Sequence, residues 1–155
     1  MIDAFARCAN AQSLVGETAG TVVTDGSIPL SASASNLRDL GSGSPVSMRF
    51  YLDTAVTGPT SFTFQVVLSS ATTLDTDVLL LATSGAVVTA DLTAGAYFDV
   101  LVPPVAPTLG DGLLRQHLGG RIVIVGSEVT TGSFSAGLVV GSAGRPRKQT
   151  IGYVA

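Results

Sequence analysis

The chain has no tryptophan, one cysteine and one histidine, and charged residues fill only 12% of its 155 positions. Each shortage closes off a class of protein. A lone thiol, Cys8, permits neither an intramolecular disulfide nor a cysteine-based zinc site. The lone imidazole, His117, has no Gly-x-Ser-x-Gly elbow anywhere in the chain to present a serine to it. It therefore reads as a loop or surface histidine. So few charges exclude a charge-rich disordered tail and argue against a helical bundle, whose outer faces need Glu and Lys. Long apolar runs are also missing. The aliphatic stretches 78–82 and 122–125 fall far short of the roughly 20 residues of a membrane helix. The start, Met1 to Arg7, lacks the basic and apolar regions of a signal peptide. The expectation is a soluble protein made in a cytoplasm.

What is present points to strands. Hydrophobic residues make up 46% of the chain, and Ser (16), Thr (17) and Gly (18) supply much of the rest. Surface polarity then comes from hydroxyls rather than charges, a composition typical of all-β chains. The net charge of −3 disfavours a nucleic-acid binder. The charge is also uneven. Residues 1–128 hold all 11 acids and 5 bases, a net of −6, whereas residues 129–155 hold three bases, Arg145, Arg147 and Lys148, and no acid. A basic tail on an acidic body suggests a tail with its own partner.

Alternation sets the strands. Residues 46–52, 61–69, 97–102 and 133–140 each place apolar residues two apart, as in Phe62, Phe64, Val66 and Leu68. Further strands are read at 21–24 and 27–30 around the turn pair Asp25-Gly26, and at 121–125. Residues 77–82 and 86–89 are separated by a Ser84-Gly85 turn. Thr57 to Thr60 reads as a turn, and the 77–82 strand, apolar on both sides, reads as covered on both faces. Residues 4–15 suggest a short helix or an arm. Short strands at this spacing predict an antiparallel sandwich, jelly roll or barrel. The domain reading is an N-terminal arm over 1–20, a β-sandwich over 21–141, and a basic C-terminal arm over 142–155.

Chemistry is sparse. Asp75-Thr76-Asp77 would put two carboxylates on one side of a strand, within reach of a hard cation, but no third ligand is visible and a solvated loop is the better reading. Arg7 beside Cys8 is weak support for a reactive thiol against a buried, inert one. No pair of carboxylates is spaced for glycoside hydrolysis. No catalytic residue, metal or cofactor is expected, and the chain reads as a non-enzyme.

In order along nearly the whole chain come Ala11-Gln12, Asp39-Leu40-Gly41-Ser42-Gly43, the 69–75 segment and Ser84-Gly85. They are followed by Asp91-Leu92-Thr93-Ala94-Gly95, Pro103-Pro104, residues 121–125 with 132–140, and Gly152-Tyr153-Val154. In these pieces the sequence resembles the capsid cement, or decoration, proteins of tailed bacteriophages. Residues 113–120 and the basic cluster at 145–148 depart from that pattern. The resemblance implies a jelly-roll-like antiparallel β-sandwich with extended N- and C-terminal arms. It also implies a place on the outer surface of the virion, reached after synthesis in the host cytoplasm. The implied partners are the major capsid protein and further copies of the chain, as a homodimer or homotrimer; neither nucleic acid nor membrane is among them. The residues expected to contact capsid or a neighbouring subunit are Arg145, Arg147, Lys148 and Tyr153, with Phe5 and Leu14 from the N-terminal arm. The competing reading is a sandwich module of a tail or fibre that binds host surface glycans; the absence of tryptophan counts against it.

Overall fold

The computed structural model describes residues 7–30, 45–104, 108–110 and 113–140. Among these residues the strands, in chain order, are β1 (Arg7–Ser13), β2 (Gly20–Val23), β3 (Ile28–Pro29), β4 (Val46–Ser69), β5 (Leu79–Val88), β6 (Tyr97–Val102), β7 (Thr108–Gly110), β8 (Leu113–Arg115) and β9 (His117–Val140). A single 3-10 turn at Thr89–Asp91 is the helical element described.

Two of these strands decide the architecture. β4 and β9 pair antiparallel from Val46 opposite Val140 to Ser69 opposite His117. Drawn straight, each 24-residue strand would span about 80 Å. A domain of this size has a radius of gyration near 15 Å by the usual scaling, roughly. The ribbon therefore has to fold back on itself. Alternation makes the fold profitable: Val46, Met48, Phe50 and Leu52 on one half, and Phe62, Phe64, Val66 and Leu68 on the other, are buried on the same side of the ribbon. The bend lies between residues 52 and 61, where the β4–β9 register slips repeatedly. Gly58 (φ +111°) and Gly126 (φ +108°) supply backbone that side chains rarely adopt. Val56 and Val129 are buried beneath the bend. Hydroxyls tie its outer side together, Thr54 to Ser133 at 3.0 Å and Thr57 to both Thr130 and Thr131 at 2.7 Å.

Folding the ribbon makes two four-stranded leaves. The first is ordered β6, the first half of β4, the second half of β9, and β1. The second is ordered β5, the second half of β4, the first half of β9, and β2 continued by β3. Along the sequence the chain switches leaf at every step except from the second half of β4 to β5, which are neighbours in the second leaf; every pairing is antiparallel, and the connectivity is that of a jelly roll.

Aromatic rings join the leaves. Phe64 of the second leaf lies 4.8 Å from Phe98 and 5.0 Å from Phe50 of the first, centroid to centroid, with Phe62 and Phe134 adjoining. Space is made by Gly120, where a Cβ would stand 2.7 Å from the Phe50 ring. On the β1–β2 side Gln12 closes the sandwich. Its side chain donates to the Val23 carbonyl and accepts from the Asp25 amide, each at 2.9 Å.

The sheet revises several sequence expectations. The N-terminal arm read over 1–20 belongs to the sandwich from Arg7 onward, as a strand rather than a helix, because Cys8, Ala9 and Leu14 have a core to enter. Thr57 to Thr60 is bent strand, not a turn: its glycine bends the ladder without ending it. Residues 77–82 and 86–89 are not separate strands. β5 starts at Leu79 and absorbs Ser84-Gly85 in a register irregularity. β5 is also an edge, with Leu79 and Leu80 exposed rather than covered on both faces. Asp25-Gly26 is a jog within one edge, since β2 and β3 both run along β9. The C-terminal arm lies outside the described residues.

Replacing Phe64 by alanine removes the ring that touches both leaves and should lower unfolding free energy by about 3–5 kcal/mol. Thr63→Ala, one residue away on the outer face, should change it by less than about 0.5 kcal/mol. Urea denaturation of the two variants checks this.

Candidate functional site

The groups with reactive potential are spent on structure. Cys8 is buried, its sulfur 3.7 Å from the sulfur of Met48. Burial pushes its thiol from 9.0 up to about 11, against smaller opposing contributions from the Thr24 side chain and the Gly120 backbone. A thiol so protonated is a poor nucleophile. Asp75 and Asp77 do not share a strand face. Asp75 accepts hydroxyls from Thr73 at 2.6 Å and Thr76 at 3.0 Å, which hold its carboxyl below the usual range. Asp77 turns the other way, at φ +49°, to pair with Arg115. Among the described residues no three His, Cys, Asp or Glu side chains gather where a metal could sit. His117 lies in the sheet, at the start of β9 opposite Ser69 and Pro29, not in a loop.

What remains are two outer faces of very different character. On the first leaf the residues of β4 and β6 on the side away from the core pair as Ser47, itself buried, with Leu101, Arg49 with Asp99, and Tyr51 with Tyr97. The Arg49 guanidinium meets Asp99 through two bonds of 2.7 Å and lies 4.2 Å over the Tyr97 ring. The hydrogen bond to Asp99 is the chief reason its pKa is raised. Leu101 and Tyr51 stand exposed on either side. Asp53, accepting from Ser135, continues the face toward the bend.

The second leaf presents β-branched and hydroxyl side chains instead. Across it run Val125, Ser61 and Val88 in one row, then Thr21, Val123, Thr63 and Ala86, then Val23, Arg121, Gln65 and Thr83. Val88 and Val125 are more than half exposed. Arg121 is the one cation on this face among the described residues, and its Nε donates to Gln65 at 2.7 Å. Leu74, at φ +59° in the segment between β4 and β5, packs over Gly119 and closes the face at the end away from the bend.

The residues singled out from sequence fare differently. Leu14 is fully buried and cannot face a partner: its amide donates to the Gly132 carbonyl and its side chain joins the core, so it pins the segment after β1 to the bend. Phe5, Arg145, Arg147, Lys148 and Tyr153 lie outside the described residues. The strands that lead to them are neighbours, since Arg7 stands opposite Gly137. Sequence reasoning missed Arg49, Asp99, Arg121, Val88 and Val125. The alternation that marks Phe50, Phe62, Phe98, Ile122 and Ile124 as inward marks the odd-numbered Arg49, Asp99, Arg121 and Val125 as outward; Val88 follows from its register opposite Ser61 instead.

A model of one protein family, described as Bbp16, matches residues 9–138, a span that starts in β1, ends in β9 and takes in both leaves. No curated protein matches the chain.

The raised thiol pKa has a sign that can be tested. Folding favours neutral Cys8, so its contribution is intact below about pH 9 and is lost as pH rises toward 11. The stability difference between the native chain and Cys8→Ala should therefore shrink by about 2 kcal/mol from pH 8 to 11. Iodoacetamide should label the native protein only on unfolding.

Proposed function

We propose a structural role in a virion for this chain, which belongs to the Bbp16 family, a phage-related family. In this reading it binds the outer surface of a tailed-phage capsid and cements neighbouring major capsid proteins against the pressure of packaged DNA. Family membership together with a closed, charge-poor jelly roll is the observation that carries it. The chemistry is that of area. Apolar and hydroxyl-rich sheet surface suits a contact whose centre is depleted of charge. Tyr51, Arg49 and Leu101 on the first leaf are of types that anchor such contacts, and the ion pair with Asp99 presents the guanidinium already oriented.

The segments beyond Arg7 and Val140 leave from adjacent strands at one end of the sandwich. Arg145, Arg147 and Lys148 would meet acidic protein surface, where rim charges mainly guide orientation, and Tyr153 and Phe5 would add apolar anchors. Leu14, serving the core, has no part in this. No bond is made or broken, and neither cofactor nor metal is needed.

One observation favours the glycan-binding alternative. Tyr51 and Tyr97 stand side by side on an outer face beside a charged pair, and sugars stack on such rings.

Co-sedimentation with expanded empty capsids of the source phage tests the proposal. The full chain should saturate the shells at a fixed stoichiometry, and deletion of residues 142–155 should weaken binding at least about tenfold, roughly 1.4 kcal/mol. Absence of capsid binding by the full chain removes the reading. Glycan-array binding that is lost on Tyr51→Ala would put the alternative in its place.

A further inference from the structure

The two long sides of the sandwich are finished differently. On the side of β1 and β2 the edges are stitched together. The Gly26 amide donates to the Cys8 carbonyl at 2.8 Å, and the Gln12 side chain bonds both Val23 and Asp25. On the side of β5 and β6 no backbone hydrogen bond among the described residues joins the two strands, and each pairs with β4 alone. Open edges invite further strands and are normally blunted by bulges, Pro or Lys. β5 is blunted, since its register against β4 slips twice. β6 is not. It pairs with β4 without a slip, contains neither Pro nor Lys, and its one charge, Asp99, is neutralised by Arg49. Beside this edge Leu101 stands 46% exposed.

Residues 141–155 follow β9 and lie outside the described residues. Where they begin is known. Val140, Val46 and Val102 stand in one row across β9, β4 and β6. β9 reaches that row running away from the bend, as β6 does, so a chain turning back there runs antiparallel to β6. From Val140 to a strand beyond β6 is three strand spacings, about 14 Å. Nine residues, 141–149, reach up to about 30 Å; they are Gly-, Pro- and Lys-bearing, the composition of a connection. The next five, Thr150-Ile151-Gly152-Tyr153-Val154, carry no charge and are mostly strand formers. The β1 edge is nearer but already closed.

We infer that the β6 edge is a strand-accepting site and that its occupant is this chain's own C-terminal segment, residues 150–154 laid antiparallel along residues 98–102. Residues opposite one another in such a pair share a face. Ile151 opposite Leu101 covers the exposed leucine and sets the register. Tyr153 then falls opposite Asp99 on the outer face of the first leaf, and Gly152 opposite Val100 on the core side, where β5 comes close to β6 and space is least. The connection carries Arg145, Arg147 and Lys148 to the end of the sandwich away from the bend, whereas Glu17, Asp53 and Glu128 lie at the bend. The basic cluster becomes a patch at one end rather than the charge of a free tail.

The test uses no capsid, so its failure leaves the proposed cement role standing and the failure of that role leaves the edge strand standing. Amide hydrogen exchange of the full chain should show protection on both edges of β6. Deleting residues 149–155 should speed exchange in β6 at least about tenfold while leaving β1 and β2 unchanged. In a Cys8→Ala background, Leu101→Cys with Ile151→Cys should close an intrachain disulfide at least about tenfold faster than Leu101→Cys with Gly152→Cys, whose side chains would face opposite ways. Exchange in β6 that ignores the deletion overturns the inference, as does a rise spread evenly over all strands. So do equal rates for the two cysteine pairs, or a 101–151 disulfide found only between chains.

Discussion

Everything in this molecule follows from one ribbon being too long to stay straight. β4 and β9 stay paired from one end to the other, slipping register only at the bend, and their inward side chains find one another only when the ribbon doubles over. Once it has, the ring of Phe64 reaches Phe50 and Phe98, and the flanking strands have no choice of position. β1 and β6 can add only to the edges of the first half, β2, β3 and β5 only to those of the second. The leaves are thus not two sheets that met but two halves of one sheet that bent. Glycine at the bend and glycine under Phe50 are the concessions the backbone makes to that closure.

The doubling also sorts the polar groups. Hydroxyls, which bond to strand backbone and to each other, can line a sheet without the ordering that long charged side chains demand. They hold the outside of the bend and cover much of the second leaf. Among the described residues Arg49 pairs with Asp99 and Arg115 with Asp77, while Arg121, within the second leaf, is held by Gln65. The outer faces consequently differ, one tyrosine- and arginine-bearing, the other hydroxyl and valine. The sandwich thus presents two outer surfaces of unlike chemistry back to back.

The fold class was legible because alternation is local. Residues 46–52, 61–69, 97–102 and 133–140 announce their buried side through spacing alone, and the structure places all of them as strands. Breaks were harder to read. Gly58-Pro59 and Ser84-Gly85 carry the composition of turns, but a bend or a bulge uses the same residues, and only the pairing across the sheet tells them apart. β5 looked like a covered strand because hydrophobicity does not reveal whether a neighbour exists. The face residues were half legible. Parity says that Arg49 and Arg121 point outward, but that one meets Asp99 and the other Gln65 depends on register set fifty or more residues away. Leu14 misled for a plain reason: a leucine in a segment without clear periodicity can anchor to its own core as well as to another molecule.

The pairing of the first described strand with the last gives the sandwich a direction of strength. Arg7 and Gly137 sit side by side on antiparallel β1 and β9. A force that drew the two ends apart would open those strands like a zipper, one bond after another, and would meet little resistance at any moment. A force applied along the sandwich, from the bend to the opposite end, would instead have to slide β4 against β9 and load many bonds of the ladder together. The β1–β9 pair would thus yield to a pull on Arg7 and Gly137 more readily than the β4–β9 ladder to one along its length.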